Sequence, residues 1–189
     1  MASASSKKAD WDRAVLDAYT ELLKKLRVAP HVLIVTAKST FPASGVASML
    51  RNLAPHATVH ATTSCRGCIS SDGHHSFGLL GIVDPSGRYT TGMSGGATDA
   101  TTARAAGEAA ARAALAAAGN GRGEMPAVAL VTGAPACEEL VLSGIEHVLG
   151  DDVPIMGGSS ADESFDGGWW AFGLFGGDAV RPAAEATCE

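Results

Sequence analysis

Two cysteines with two residues between them, Cys65-Arg66-Gly67-Cys68, are the most reactive spacing in the chain. C-x-x-C serves two chemistries, thiol–disulfide exchange and zinc coordination. Exchange needs a thiolate, and its usual source is the positive end of a helix dipole. Here Ile69-Ser70-Ser71-Asp72-Gly73 follows, a poor helix start, so the context weighs against exchange. His74 and His75 add two more potential zinc ligands. Adjacent side chains in a strand leave opposite faces, however, and structural zinc draws on two separated ligand pairs. The expectation is a loop without a metal, in a chain that needs no metal or organic cofactor.

Cys137 precedes Glu138 and Glu139 at a predicted helix start. The dipole favours a thiolate there, but two carboxylates beside it oppose one, which leaves a capping or buried thiol as the better reading. His147 lies on that helix, and His31, His56 and His60 fall at strand edges; none has a recognisable cysteine neighbour, and no G-x-S-x-G elbow occurs. No catalytic residue is assigned, and the chain is expected not to be an enzyme. Gly157-Gly158-Ser159-Ser160 invites comparison with phosphate loops, but neither G-x-x-x-x-G-K-[ST] nor G-x-G-x-x-G is present, and Asp162 and Glu163 would repel a phosphate. As a pocket wall the segment makes more sense. Glycines let main-chain N–H groups approach a ligand, Ser159 and Ser160 offer hydroxyls, and Asp162 offers an acceptor that can bind an ammonium. A plain β-turn with Asp162 as a cap fits the same residues.

The elements that would position these groups follow from periodicity. Trp11, Val15, Ala18, Leu22 and Leu26 share one face of a helix over 11–27, with Asp10 as its cap and Glu21 pairing with Lys25. His31–Ala37 is a run of Val, Leu and Ile without alternation, which suits a central strand covered on both faces. A short helix is predicted over 45–53 and a strand over 57–62, ending in a polar loop, 63–75. Segments 77–83 and 88–93 flank Asp84-Pro85-Ser86-Gly87 and read as a hairpin. Thr98 is the expected cap of a long alanine-rich helix over 98–118, which carries the ladder Arg104, Glu108, Arg112 and is slim enough to lie close on a sheet. A strand over 127–132, a helix over 137–149, a short strand over 153–156 and an aromatic strand over 169–175 complete the chain. The fold class is α/β: a mixed, largely buried β-sheet flanked by helices, with a β-hairpin after the second strand.

With 189 residues, 46% of them hydrophobic, one folding unit is expected over 10–177, between flexible tails 1–9 and 178–189. A formal charge of −6 with no clustered cations excludes a phosphate backbone as partner. No apolar run approaches the roughly 20 residues of a bilayer span, and Met1–Lys8 lacks the apolar core of a secretory signal. Cys65, Cys68, Cys137 and Cys188 are too few and too uneven for a secreted disulfide scaffold, so reduced thiols in the cytoplasm are expected.

Two stretches resemble the FIST domain family, the N-terminal half of which carries a loop of the form C-S-[ST]-A-G-E-I and a later V-P-[VI]-x-G-G-[SA]-A-x-D. They are Thr63-Ser64-Cys65-Arg66-Gly67-Cys68-Ile69 and Val153-Pro154-Ile155-Met156-Gly157-Gly158-Ser159-Ser160-Ala161-Asp162. Cys65 and Cys68 fall where the family has a hydroxyl residue and Glu. The resemblance spans Pro30 to Gly176 and implies a sensory, signalling module that binds small molecules such as amino acids. It further implies a C-terminal half of comparable size after this one. Both loops follow strand ends, so Ser64, Cys65, Gly67 and Cys68 are expected to line one ligand pocket with Gly157, Gly158, Ser159, Ser160 and Asp162. Two alternatives remain: a thiol redox or zinc protein using Cys65 and Cys68, and an interaction subunit that pairs through the aromatic strand of Trp169, Trp170, Phe172 and Phe175.

Overall fold

The computed structural model describes residues 1–95, 99–118, 125–164 and 166–175. In chain order they form β1 (Ala2–Ser6), α1 (Trp11–Leu26), β2 (Val32–Lys38), α2 (Ala43–Leu53), β3 (Thr58–Ser64), β4 (Cys68–Ser70), β5 (Gly73–His75), β6 (Phe77–Ile82), α3 (Ala100–Ala117), β7 (Ala129–Gly133), α4 (Glu138–Leu149), β8 (Ile155–Ser159) and β9 (Ala171–Leu174). Where one unit was expected over 10–177, the chain divides into two compact ones: Met1–Tyr89 with the described residues from Ala161 onward, and Thr90–Ser160.

The first unit holds a five-stranded mixed sheet ordered β1-β6-β2-β3-β9. The apolar run predicted as a central strand does occupy the middle. β2 runs parallel to β3 through the α2 crossover and antiparallel to β6. One sheet face is sealed and mainly apolar: Leu33, Val35, Val59 and Phe77 have no exposed surface. α1 covers it with Val15, Ala18 and Leu22, three of the five residues predicted to share its buried face. Leu22 comes so near the sheet that a Cβ on Gly81 would lie 2.7 Å from its Cδ2. Asp10 stands at the N-cap position but makes no side-chain cap bond. Glu21 pairs with Lys24 at 3.1 Å instead of Lys25, whose ammonium donates to the Ser3 carbonyl at 2.8 Å.

That last contact belongs to a larger correction. Residues 1–9 are not a free tail, because Ala2–Ser6 pair antiparallel with β6, and Ser6 Oγ donates to Asp17 of α1 at 2.7 Å. Alternating Ala and Ser carry almost no hydrophobic periodicity, so this strand leaves no pattern in the sequence. The hairpin after the second strand also moves. The Asp84–Gly87 turn forms, with Gly87 N–H donating to Asp84 O at 3.3 Å, but 88–93 is not a strand. β1 and β2 occupy the two edges of β6, so a returning segment has no ladder to join. The hairpin is instead β4–β5, inside the stretch expected to be a loop. Residues 178–189 lie outside the described residues.

In the second unit, Thr90 Oγ1 donates to the Ala114 carbonyl of α3 at 2.9 Å, which holds the segment after the turn on that helix. The helix is capped by Asp99, whose carboxylate accepts from Thr101 and Thr102 N–H at 2.9 Å each; Thr98 lies outside the described residues. Arg104 and Arg112 flank Glu108 at 3.6 and 3.9 Å, as the ladder predicts. The slimness of α3 serves a neighbouring helix as well as a sheet. A Cβ on Gly107 would overlap the Val141 carbonyl of α4, and one on Gly144 would overlap the Arg104 carbonyl of α3, so these helices meet backbone to backbone. β7 and β8 run parallel, and Val131 and Ile155 pack onto the cluster of Ala111, Ile145, Leu149 and Val153. Gly144→Val is expected to destabilise the protein by about 1–3 kcal/mol in denaturant unfolding, because the overlap is with main chain. Gly158→Ala, where a Cβ meets nothing within 4 Å, should change stability by no more than about 0.5 kcal/mol.

Candidate functional site

The second face of the five-stranded sheet is unlike the first. Successive residues in a strand point to opposite faces, so β2 presents Ile34, Thr36 and Lys38 on this side and β3 presents His60, Thr62 and Ser64. The register sets Thr36 opposite Thr62 and Lys38 opposite Ser64. All six are half-buried, whereas their neighbours Leu33, Val35, Ala37, Val59, Ala61 and Thr63 are buried. Two glycines widen the surface at its flanks, Gly78 beside Thr36 and Gly173 beside His60. Burial pushes the pKa of the His60 imidazole down, so its neutral form is favoured.

Lys38 and Ser64 end two adjacent parallel strands, the end at which open α/β sheets receive ligands. Lys38 Nζ meets Glu163 Oε1 at 3.3 Å, both side chains about one-third exposed at 34% and 37%. The returning chain is tied here by backbone, Ala161 N–H donating to Thr63 O at 3.1 Å. Asp162 is buried, and its Oδ2 accepts the Gly168 N–H at 2.6 Å, so it braces the 162–168 loop. Thr63 Oγ1 accepts the Trp170 N–H at 3.1 Å, and Trp170 Nε1 donates to Phe41 O at 2.8 Å. Trp170 stacks on Phe172, with ring centroids 5.2 Å apart. Both rings are core residues, 7% and 4% exposed, which corrects the expectation that they offer a partner surface; Trp169 and Phe175 are half-buried.

The Ser64–Cys68 segment is a tight turn closed by Gly67 N–H to Ser64 O at 3.1 Å. Gly67 has φ +86°, and a Cβ there would overlap the His75 carbonyl, so only glycine fits. Cys65 and Cys68 are half-buried and unbridged. The Cys68 sulfur sits over Gly78, 2.5 Å from where a Cβ would be, and burial pushes its thiol pKa up. His74 and His75 face opposite ways, as adjacent strand residues must: His74 is exposed and His75 buried. His75 Nε2 lies 2.7 Å from Asp72 Oδ1 and 3.1 Å from Ser70 Oγ. Lys7 Nζ lies 2.8 Å from Asp72 Oδ2, and Lys7, then Ser70 and His75, hold the Asp72 carboxyl well below the usual carboxylate range.

The second glycine segment lies in the other unit. Gly157 has φ +150°, and a Cβ on it would overlap the Val131 carbonyl, so the β7 ladder accounts for this glycine without a ligand. Ser159 Oγ donates to the Glu138 carboxylate, lowering that group's pKa, and Ser160 is buried with its N–H on Gly133 O at 2.9 Å. Ser64, Cys65, Gly67, Cys68 and Asp162 therefore fall in the first unit, and Gly157, Gly158, Ser159 and Ser160 in the second. Cys137 is buried beside Ala103. Among the described residues no three His, Cys, Asp or Glu side chains converge as metal ligands. Thr36, Lys38, His60 and Thr62 were not among the residues expected to face a ligand. The polar alternation of Thr58–Ser64 was the available signal.

The first unit is thus a mixed α/β sheet with one face sealed by α1 and the other half-buried and largely polar. The chain belongs to the FIST family: the FIST N domain matches residues 31–184, which places it among sensory and signalling modules. β1 and α1 precede the matched stretch. No curated protein and no solved structure matches the chain. No helix among the described residues is long and apolar enough to cross a membrane.

Thr63→Val leaves the buried Trp170 N–H without its side-chain acceptor and is expected to cost about 1–3 kcal/mol in chemical unfolding. His60 supplies a pH signature. Its folded pKa lies below the unfolded value, so the unfolded state binds more protons, and stability falls as the pH drops through the unfolded pKa of about 6.5. His60→Gln should flatten that part of the loss in thermal midpoints measured from about pH 7.5 to about pH 5.5.

Proposed function

We propose that this chain binds a small polar, amino-acid-like ligand on the second face of the first unit's sheet, as the sensing step of a signalling protein. One observation carries the reading: the central strands of a buried sheet present Thr36, His60 and Thr62 where apolar residues would be cheaper to bury. The Lys38–Glu163 pair sets an ammonium and a carboxylate side by side at the strand ends, complementary to the carboxylate and ammonium of a zwitterion. The turn Ser64, Cys65, Gly67, Cys68 and the loop braced by Asp162 form the rim. Gly158 and Ser159 are kept as ligand-facing residues of their own unit, being exposed on β8, with Gly157 and Ser160 holding that strand in place. The role is recognition without catalysis and calls for no cofactor. We assign it to the cytoplasm, where Cys65 and Cys68 would persist as thiols.

A second reading, an interaction subunit, has one observation in its favour. Leu130 and Met156 oppose each other on β7 and β8 and are 46% and 58% exposed.

Thermal-shift titration against a panel of amino acids separates the two. The expected result is a stabilisation that rises with concentration, about 2.7 kcal/mol at a hundredfold excess over Kd, and that is lost in Thr62→Val and Lys38→Met. Absence of any shift, together with concentration-dependent self-association, would transfer the assignment to the second reading.

A further inference from the structure

We infer that Cys68 is a covalent modification site, its thiol activated by His75 and the imidazole positioned by Asp72, all within the β4–β5 hairpin. The inference is independent of the ligand reading. Cys68 and His75 are direct partners in the hairpin register, so their side chains leave the same face with Cβ atoms about 5 Å apart. That face is the buried one: the Cys68 sulfur rests over Gly78 of the main sheet, and the His75 side chain is 9% exposed.

The two ring nitrogens of His75 differ in their surroundings. Nε2 lies 2.7 Å from Asp72 Oδ1, an ionised carboxylate that can only accept, so this nitrogen carries the proton. Nδ1 is then a lone pair, and it is buried without a hydrogen-bond partner. A buried acceptor left unsatisfied is costly, and it stays only where something else determines the ring's position. Asp72 does so, itself clamped by Lys7 at 2.8 Å and by the Ser70 hydroxyl. Cys68 and His75 are register partners, and a nucleophile, a neighbouring base and a carboxylate orienting that base are the parts of an activated thiol. The sequence context lacked only a source of activation, and the hairpin supplies one that needs no helix dipole.

The co-reactant we assign is a low-molecular-weight disulfide, R–S–S–R. The Cys68 thiol proton passes to His75 Nδ1 and the thiolate attacks one sulfur. The S–S bond breaks as the Cys68–S–S–R bond forms, and the leaving R–S⁻ takes the proton from the imidazolium to depart as R–SH. Nothing is oxidised or reduced overall beyond this exchange. The ionisable groups set at the imidazole or at its carboxylate are Cys68 and Asp72 on the hairpin and Lys7 just beyond β1; β6 carries none.

The test compares two cysteines in one molecule. The full chain is treated with bis-hydroxyethyl disulfide, and separately with iodoacetamide, and modification of Cys65 and Cys68 is followed by peptide mass spectrometry. In His75→Gln the Cys68 rate should fall about 10-fold or more, while the Cys65 rate stays within about twofold, which also reports that the turn is intact. Should this variant unfold the hairpin, the unmodified protein still decides the matter. Its Cys68 rate, followed against pH, should depart from the profile of a lone thiol. An unchanged Cys68 rate in His75→Gln, a pH profile set by a thiol alone, or a Cys68 that never reacts in the native chain would overturn the inference.

Discussion

The parallel pairing of β2 with β3 sets two unequal surfaces, and the first unit is organised around that inequality. On one side Leu33, Val35, Val59 and Phe77 exclude water completely under α1. Burial of this kind, at about 25 cal/mol per Å², is the main source of stability in a domain this small, and it is not directional. The strand register converts it into direction. Once the apolar residues are committed to one face, Thr36, Lys38, His60, Thr62 and Ser64 have no choice but the other, because a slip of one residue would invert every side chain. A polar surface is thereby held rigidly by the very packing that stabilises the fold.

Glycine in this protein mostly marks where main chains touch. Gly107 and Gly144 let α3 and α4 approach through their backbones, Gly157 lets β8 pair with β7, and Gly67 lets the turn into β4 close against His75. A glycine-rich stretch next to Ser and Asp suggests a ligand loop, yet ladder geometry alone accounts for Gly157. The distinction matters for function. Residues that face a ligand must have spare hydrogen-bonding capacity, and a glycine consumed by strand pairing has none to offer. Gly78 is a mixed case, since it lies in the sheet floor and carries the Cys68 sulfur above it.

The β4–β5 hairpin shows how a short element can concentrate chemistry. Three residues per strand are too few to be stable alone, so the hairpin is held from outside, by Lys7 on Asp72 and by the main sheet beneath Cys68. Those restraints also fix the imidazole of His75 between a carboxylate and the protein interior. The same hairpin edges the strand ends where Lys38 and Ser64 lie, within the first unit.

The amino-acid sequence by itself determined the elements with strong periodicity or strong caps: α1, β2 as a central strand, α4 and the alanine-rich α3 are all present within a few residues of the predicted spans. It determined the class of sheet as well, and, through the motifs around Cys65 and Gly157, the family. What only tertiary structure decided were the pairings. Ala2–Ser6 carries no hydrophobic pattern and became a strand because β6 had an open edge; the segment after Gly87 had strand propensity and did not pair because that edge was taken. Much of the site escaped for the same reason. Which residue of β3 faces which residue of β2, and that Cys68 stands opposite His75, are facts of register between segments distant or reversed in the chain, and no local preference encodes them.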